Sequence, residues 1–543
     1  MNNTQPQSAA LSSGPLPAST TVLQFTDAAG CARWVAALPV TNVQLAQQRV
    51  SEQMAALTLA NLPALERLKV LDALKDTMMF TQAELAKRYI GKPLPLDQSD
   101  AKVWDCVTAL WQHAGANYRK CLDACRAGDL AIAPHAALVT LRCLRMTALR
   151  QFEHYVVYRE PDNTTWREFH SLYAFAEERG LARARVPDVF ARHDADSSCA
   201  EVYVHGLMAE LANPFALSVR QMAFMRRWLD KWAPLIGLAN QPVTGSQIPQ
   251  LAADTAADAL PGLATQLGAQ PSVRYLDLEQ LATTLRQTIN LLKQGQTPGQ
   301  LGLGEDARQP GCENLIMLLY LQWCRAGTLR TEERNASQQS VEVCFGITDS
   351  FELMGGDNRT QEDMAFNARD KWEIENLGFS MRLSNTARMA AIKKSEAWEI
   401  LNKSASGFMC MLREPSGVMR MSHNQLLAVR VDENTTRAGT LQWIRIKPSG
   451  ECLCGVRLFP GVPRPIKVRP ANINPGLKQA LEPAVIVAEA AMPKTPLTIL
   501  LPAGWFQAGR LIDTQGETTR TVRLLTLMER GADFDRCAII AVQ

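Results

Sequence analysis

Two short polar clusters in this chain hold residue types that can recognise a charged ligand. The first, RTEER, places Arg330 and Arg334 with three residues between them. The second, NKSASG, sets Asn402, Ser404 and Gly407 between two strand-like runs. Arginine forks bind oxyanions in a bidentate manner, and an asparagine offers one acceptor and one amide donor group. A serine hydroxyl adds a hydrogen bond, while a glycine allows a positive φ or a close backbone approach. This is chemistry of recognition rather than of bond-making. Each cluster also has a plainer reading: arginines at i and i+4 are common on solvated helix faces, and Asn-x-Ser…Gly is an ordinary turn.

Signatures of bond-making are absent from the sequence. It has no phosphate-binding P-loop, dinucleotide glycine fingerprint, zincin motif or nucleophile elbow, so no enzymatic activity is expected. The seven histidines, His113, His135, His154, His170, His193, His205 and His423, are scattered. His154 and His170 fall on amphipathic helical patterns and are expected to pack or face water. GLGEDARQPG has glycines but follows a helix, so it reads as a loop.

At 543 residues the chain exceeds one ordinary core, and two to four domains are expected. Net charge is only +3, which argues against a wholesale nucleic-acid binder. The charge is uneven: residues 381–480 hold 16 Lys and Arg against 6 Asp and Glu, favouring an anionic ligand or partner. Thirteen cysteines show no disulfide spacing. Cys121 and Cys125 lie one helical turn apart, and Cys452 and Cys454 share a strand face. Neither pair has further ligands nearby in sequence, so buried thiols in a reducing compartment are expected, with no metal and no cofactor. The first residues have no basic start and no apolar core, and no run approaches the length of a membrane span. A cytoplasmic protein without membrane insertion is expected.

Periodicity divides the chain. Residues 1–24 are rich in Ser, Pro, Ala and Gln and read as a disordered tail. Residues 25–237 read as helical throughout, with apolar positions recurring every three or four residues. Residues 238–329 read as a linker followed by two helices. Near Ser340 the period changes to short β-branched runs bounded by Gly, Pro or Asn, as in VEVCFGI, GFMCMLRE, QLLAVRV, TLQWIRIKP and ECLCGVRLF. The fold class is therefore α+β, an N-terminal all-helical region followed by a small antiparallel β-barrel with extra strands. The barrel is placed at 330–480, with a charged helical insertion at 355–394. Residues 481–543 are a C-terminal β extension, whose strands either join that barrel or build a second one. Trp398 and Trp443 lie on strand-like runs and are expected in the core, which leaves few exposed aromatics for stacking single-stranded nucleic acid.

The two clusters stand in a recognisable order: R-x-x-x-R, a strand, [D/N]-x-S-x-x-G opening a hairpin, then strands ending in a GV segment. In Arg330, Arg334, Asn402, Ser404, Gly407 and the run LQWIRIKPSGECLCGVRLFPG the chain resembles the PilZ domain. The resemblance covers residues 330–469 and implies a receptor for cyclic di-GMP, which carries two phosphodiesters and two guanines. Arginine forks match both groups. It departs from the usual pattern in having Asn402 where an aspartate is common, and in the 67 residues between Arg334 and Asn402. Arg382 and Arg388, near the end of the insertion, are secondary candidates for the arginine pair.

The implied function is a non-enzymatic signal receptor or adaptor, in which ligand bound at the barrel is coupled through the helical region to an unidentified protein partner. The alternative is a ligand-free PilZ-like protein–protein interaction scaffold, with NKSASG serving only as a turn.

Overall fold

The computed structural model describes residues 22–162, 164–191, 196–268, 270–325, 334–356, 395–413, 420–432, 435–471, 480–488, 497–515 and 519–542. Its N-terminal half is built largely from helices, several of them started by a side-chain cap. In the helix Gln98–Arg126, Asp97 accepts from the Asp100 amide. Val103, Val107, Leu110, Trp111, Ala114, Tyr118 and Cys121 then recur at three- and four-residue steps and are buried. The helices Cys199–Leu211 and Val219–Trp232 both begin with capping boxes, Ser198 with Glu201 and Ser218 with Gln221. Among the described residues no helix is long and apolar enough to cross a membrane.

Two parts of this half depart from the expected pattern. A small ribbon pairs Val186–Pro187 with Asp196–Ser197 inside the region read as all-helical. The stretch read as a linker builds a four-stranded antiparallel sheet from Gly237–Ala239, Val273–Asp277, Leu251–Asp254 and Gly262–Leu263. Its strands are two to five residues long. That is too short for an alternating pattern to stand out among Gln, Pro and Ala. The expected helices follow as Glu279–Lys293 and Gly311–Cys324.

The C-terminal half holds two six-stranded antiparallel barrels. The strands of the first are Ser340–Phe345, Glu396–Lys403, Gly407–Leu412, Leu426–Asp432, Thr435–Ile446 and Cys452–Leu458. Around the ring their order is first, second, third, sixth, fifth, fourth, closing back on the first. The second barrel uses Val462–Pro470, Glu482–Ala488, Thr498–Pro502, Leu511–Gln515, Thr519–Arg530 and Phe534–Ala541. Its ring order is the same. The strand Val462–Pro470, inside the span 330–480 expected for the first barrel, opens the second instead, because its register is set by residues 482–488 and 512–515. Of the helical insertion read at 355–394, all but Gly355 and Gly356 lies outside the described residues.

The first barrel is fastened to both neighbours. One apolar cluster runs from the helices into its interior, including Trp398, Phe408, Leu441 and Ile444. Leu94 and Met421 exchange two backbone hydrogen bonds of 2.7 and 2.8 Å. Ile446 donates to Tyr158 O and accepts from the Glu160 amide, and the Arg445 guanidinium lies 4.5 Å from the Phe215 ring centre. On the other side Leu426, Ala438 and Phe459 pack with Val485, Leu500 and Phe534 of the second barrel. Arg457 pairs with Glu529 across this contact.

The helical core also buries imidazoles. Burial pushes His154 and His205 down to about 4 from the ordinary 6.5. Unfolded chains take up these protons as pH falls below roughly 6.5, whereas the folded protein resists until about 4. Stability is therefore full above pH 6.5 and is lost on acidification towards 4. The slope is at most about 1.4 kcal/mol per pH unit for each histidine. Glu153 and Glu210, pushed up by burial, act in the opposite sense as they protonate. Urea midpoints measured between pH 7.5 and 5 are expected to fall, and the fall is expected to be shallower in His205→Gln. An unchanged slope in that variant would show that His205 does not carry it.

Candidate ligand face on the first barrel

The NKSASG segment joins the second and third strands of the first barrel. Ser404 donates its amide to Gly407 O at 2.8 Å, and its hydroxyl reaches the same carbonyl at 3.3 Å. Leu458 donates its amide to Ser406 O, tying the turn to the sixth strand. A Cβ on Gly407 would lie 2.1 Å from Val456 O. Glycine is needed here because the neighbouring backbone comes so close, and its φ is not positive.

Asn402 sits half-buried on the outer face of the second strand, opposite Met409. Its amide nitrogen lies 3.9 Å from the Met409 sulfur. Before the first strand, Asn335–Ala336 pairs with Lys403 and Asn402, so the chain leaving RTEER runs directly beside the hairpin. Arg334 Nη1 donates to Asn402 Oδ1 at 3.1 Å across 68 positions of sequence, and its guanidinium is exposed. The structure therefore brings Arg334, Asn402, Ser404 and Gly407 to one end of one face. Arg330, Arg382 and Arg388 lie outside the described residues.

The tryptophans separate. Trp398 points into the barrel and meets Phe345 edge-on, with ring centres 6.1 Å apart. Trp443, also expected in the core, is half-buried on the outer face. The register shifts between Leu441 and Trp443, so Leu441 and Ile444 both face inward and Trp443 faces out. Strict alternation read from the sequence could not reveal this inserted residue. The four cysteines singled out earlier are free thiols, and Cys452 and Cys454 lie with sulfurs 3.7 Å apart inside the barrel.

With this geometry in view, comparison with known proteins points one way. Residues 28–242 match the family described as the cyclic-di-GMP receptor FimW, N-terminal domain. The chain is similar to a receptor family. The cyclic-di-GMP receptor FimW of Pseudomonas aeruginosa is 22% identical over 336 residues, covering 60% of this chain and 52% of FimW. The chain thus spans about half the length of the curated relative it matches.

Gly407→Ala forces a methyl against strand backbone and is expected to cost about 2–4 kcal/mol in urea unfolding. Ser404→Ala removes one hydroxyl contact on a half-exposed turn and is expected to cost at most about 1 kcal/mol. Equal effects would show that the hairpin does not depend on the close approach at Gly407.

Proposed function

We propose that this protein is a non-enzymatic receptor for cyclic di-GMP, with the ligand held on the outer face of the first barrel. The observation that carries the reading is the contact between Arg334 and Asn402, which joins the arginine segment to the N-x-S-x-x-G hairpin. The similarity to FimW, whose name states the same ligand, supports it from the helical half. PilZ-like character is part of the proposal, supported by the motif order and by a six-stranded antiparallel ring that opens just after RTEER.

The chemistry assigns roles. Arg334 uses one donor on Asn402 and keeps the rest of its exposed fork for a phosphodiester or a guanine edge. Asn402 presents its amide beside that fork, and Ser404 and its turn form the neighbouring wall. Arg330 acts as the second arginine of the clasp, with Arg382 and Arg388 as reserve candidates. The helical region, bolted to the barrel through Tyr158, Leu94 and Arg445, is the surface through which binding reaches a partner protein. Thirteen free thiols agree with action in the reducing cytoplasm.

One observation favours the scaffold reading. The hydrogen bonds of Ser404 to Gly407 already account for the turn without a ligand. Calorimetric titration of the full chain with cyclic di-GMP decides between the two. Saturable binding is expected, with Arg334→Ala and Asn402→Ala each weakening it about tenfold or more and moving the free protein's melting temperature little. No heat and no thermal shift at ligand concentrations far above micromolar would leave the scaffold.

A further inference from the structure

We infer that the indole of Trp443 is a stacking shelf for one purine base of the ligand, at the far end of the face that begins with Asn402. The inference rests on the receptor reading above and extends its site across four strands. Registers align the residues in one lateral row: Asn402 opposite Met409, Met409 opposite Gly455, and Gly455 opposite Trp443. Adjacent strands lie about 4.8 Å apart, so Asn402 and Gly455 are separated by roughly 10 Å, the scale of a dinucleotide.

The indole covers the bare backbone of Gly455. A Cβ at that position would meet Nε1, Cε2 and Cδ1 of Trp443 at 1.9, 2.4 and 2.5 Å. Close approach to three neighbouring atoms of the five-membered ring means that the ring lies over the glycine with one face against it, and the side chain is half-buried on the outer wall of the barrel. Packing of an aromatic over a strand glycine is by itself a structural device. The row adds something that device does not require. Met409 stands between them in the row, opposite Gly455 on one side, with its sulfur 3.9 Å from the Asn402 amide nitrogen on the other. An amide that can hydrogen-bond a base edge therefore stands on the same face as a π surface that can take a base plane. Bases stack on such surfaces irrespective of identity, so Trp443 supplies affinity while the Asn402 end supplies the choice of base.

The test is calorimetric titration of the full-length protein with cyclic di-GMP, in wild type, Trp443→Ala and Trp443→Phe, each checked for folding by thermal unfolding. Trp443→Ala is expected to weaken binding about tenfold or more, and Trp443→Phe by less, because a phenyl ring still stacks. Indole emission is expected to fall on ligand addition in wild type and to change less in Trp443→Phe. Affinity of Trp443→Ala within twofold of wild type would overturn the shelf and leave the receptor reading standing. Absence of saturable binding by the wild-type chain would overturn both. If Trp443→Ala does not fold, an equal emission change in wild type and Trp443→Phe would overturn the shelf.

Discussion

Closure of the first barrel between its second and third strands is the constraint on which the rest of the face depends. Gly407 lets the third strand press against Val456 of the sixth, where a side chain would strike a carbonyl, while the other edge of the third strand pairs with the second and shuts the ring. That same closure brings Asn402, Met409 and Gly455 side by side, and it holds the turn that Ser404 caps. The strand leaving RTEER then completes the arrangement by pairing along Asn402 and Lys403. Packing thus creates a polar and aromatic face as a by-product of shutting a hydrophobic ring.

This face lies between contacts to the second barrel and contacts to the helices. Arg457, opposite Gly407, reaches Glu529 in the second barrel, while Arg445 on the fifth strand reaches Glu160 and Phe215 in the helices. A ligand bound between these two anchors would change the energy of arrangements on either side only if it contacts them differently in two states. The backbone exchange between Leu94 and Met421 is a stiff connection, so any such change is better carried as a small rigid-body adjustment than as a loosening.

The sequence made the division into helices and strands legible because each signal had room to repeat. The helix Gln98–Arg126 offers eight turns of apolar recurrence, and the barrel strands carry dense β-branched residues between Gly and Pro. What was not legible follows from signals that were short or that depend on the third dimension. The two- to five-residue strands at 237–277 carry too few alternations to register. Val462–Pro470 reads as a strand correctly, yet which ring it joins is decided by partners at 482–488 and 512–515, far along the chain. Trp443 reads as core because a single extra residue at Gln442 inverts the face. Arg334 and Asn402 were named from motif order alone, and their meeting is a property of the folded chain.

The repeated ring order has one more consequence. Among the described residues each of the six ring strands in both barrels has a hydrogen-bonded neighbour on each side, and only the two-residue strand Asn335–Ala336 ends a sheet there. Ring closure therefore leaves these ring strands little edge for recognition by strand addition or for the fibre-forming hazard that accompanies exposed edges. A molecule meeting these closed rings meets side-chain relief on curved walls rather than a free row of backbone groups.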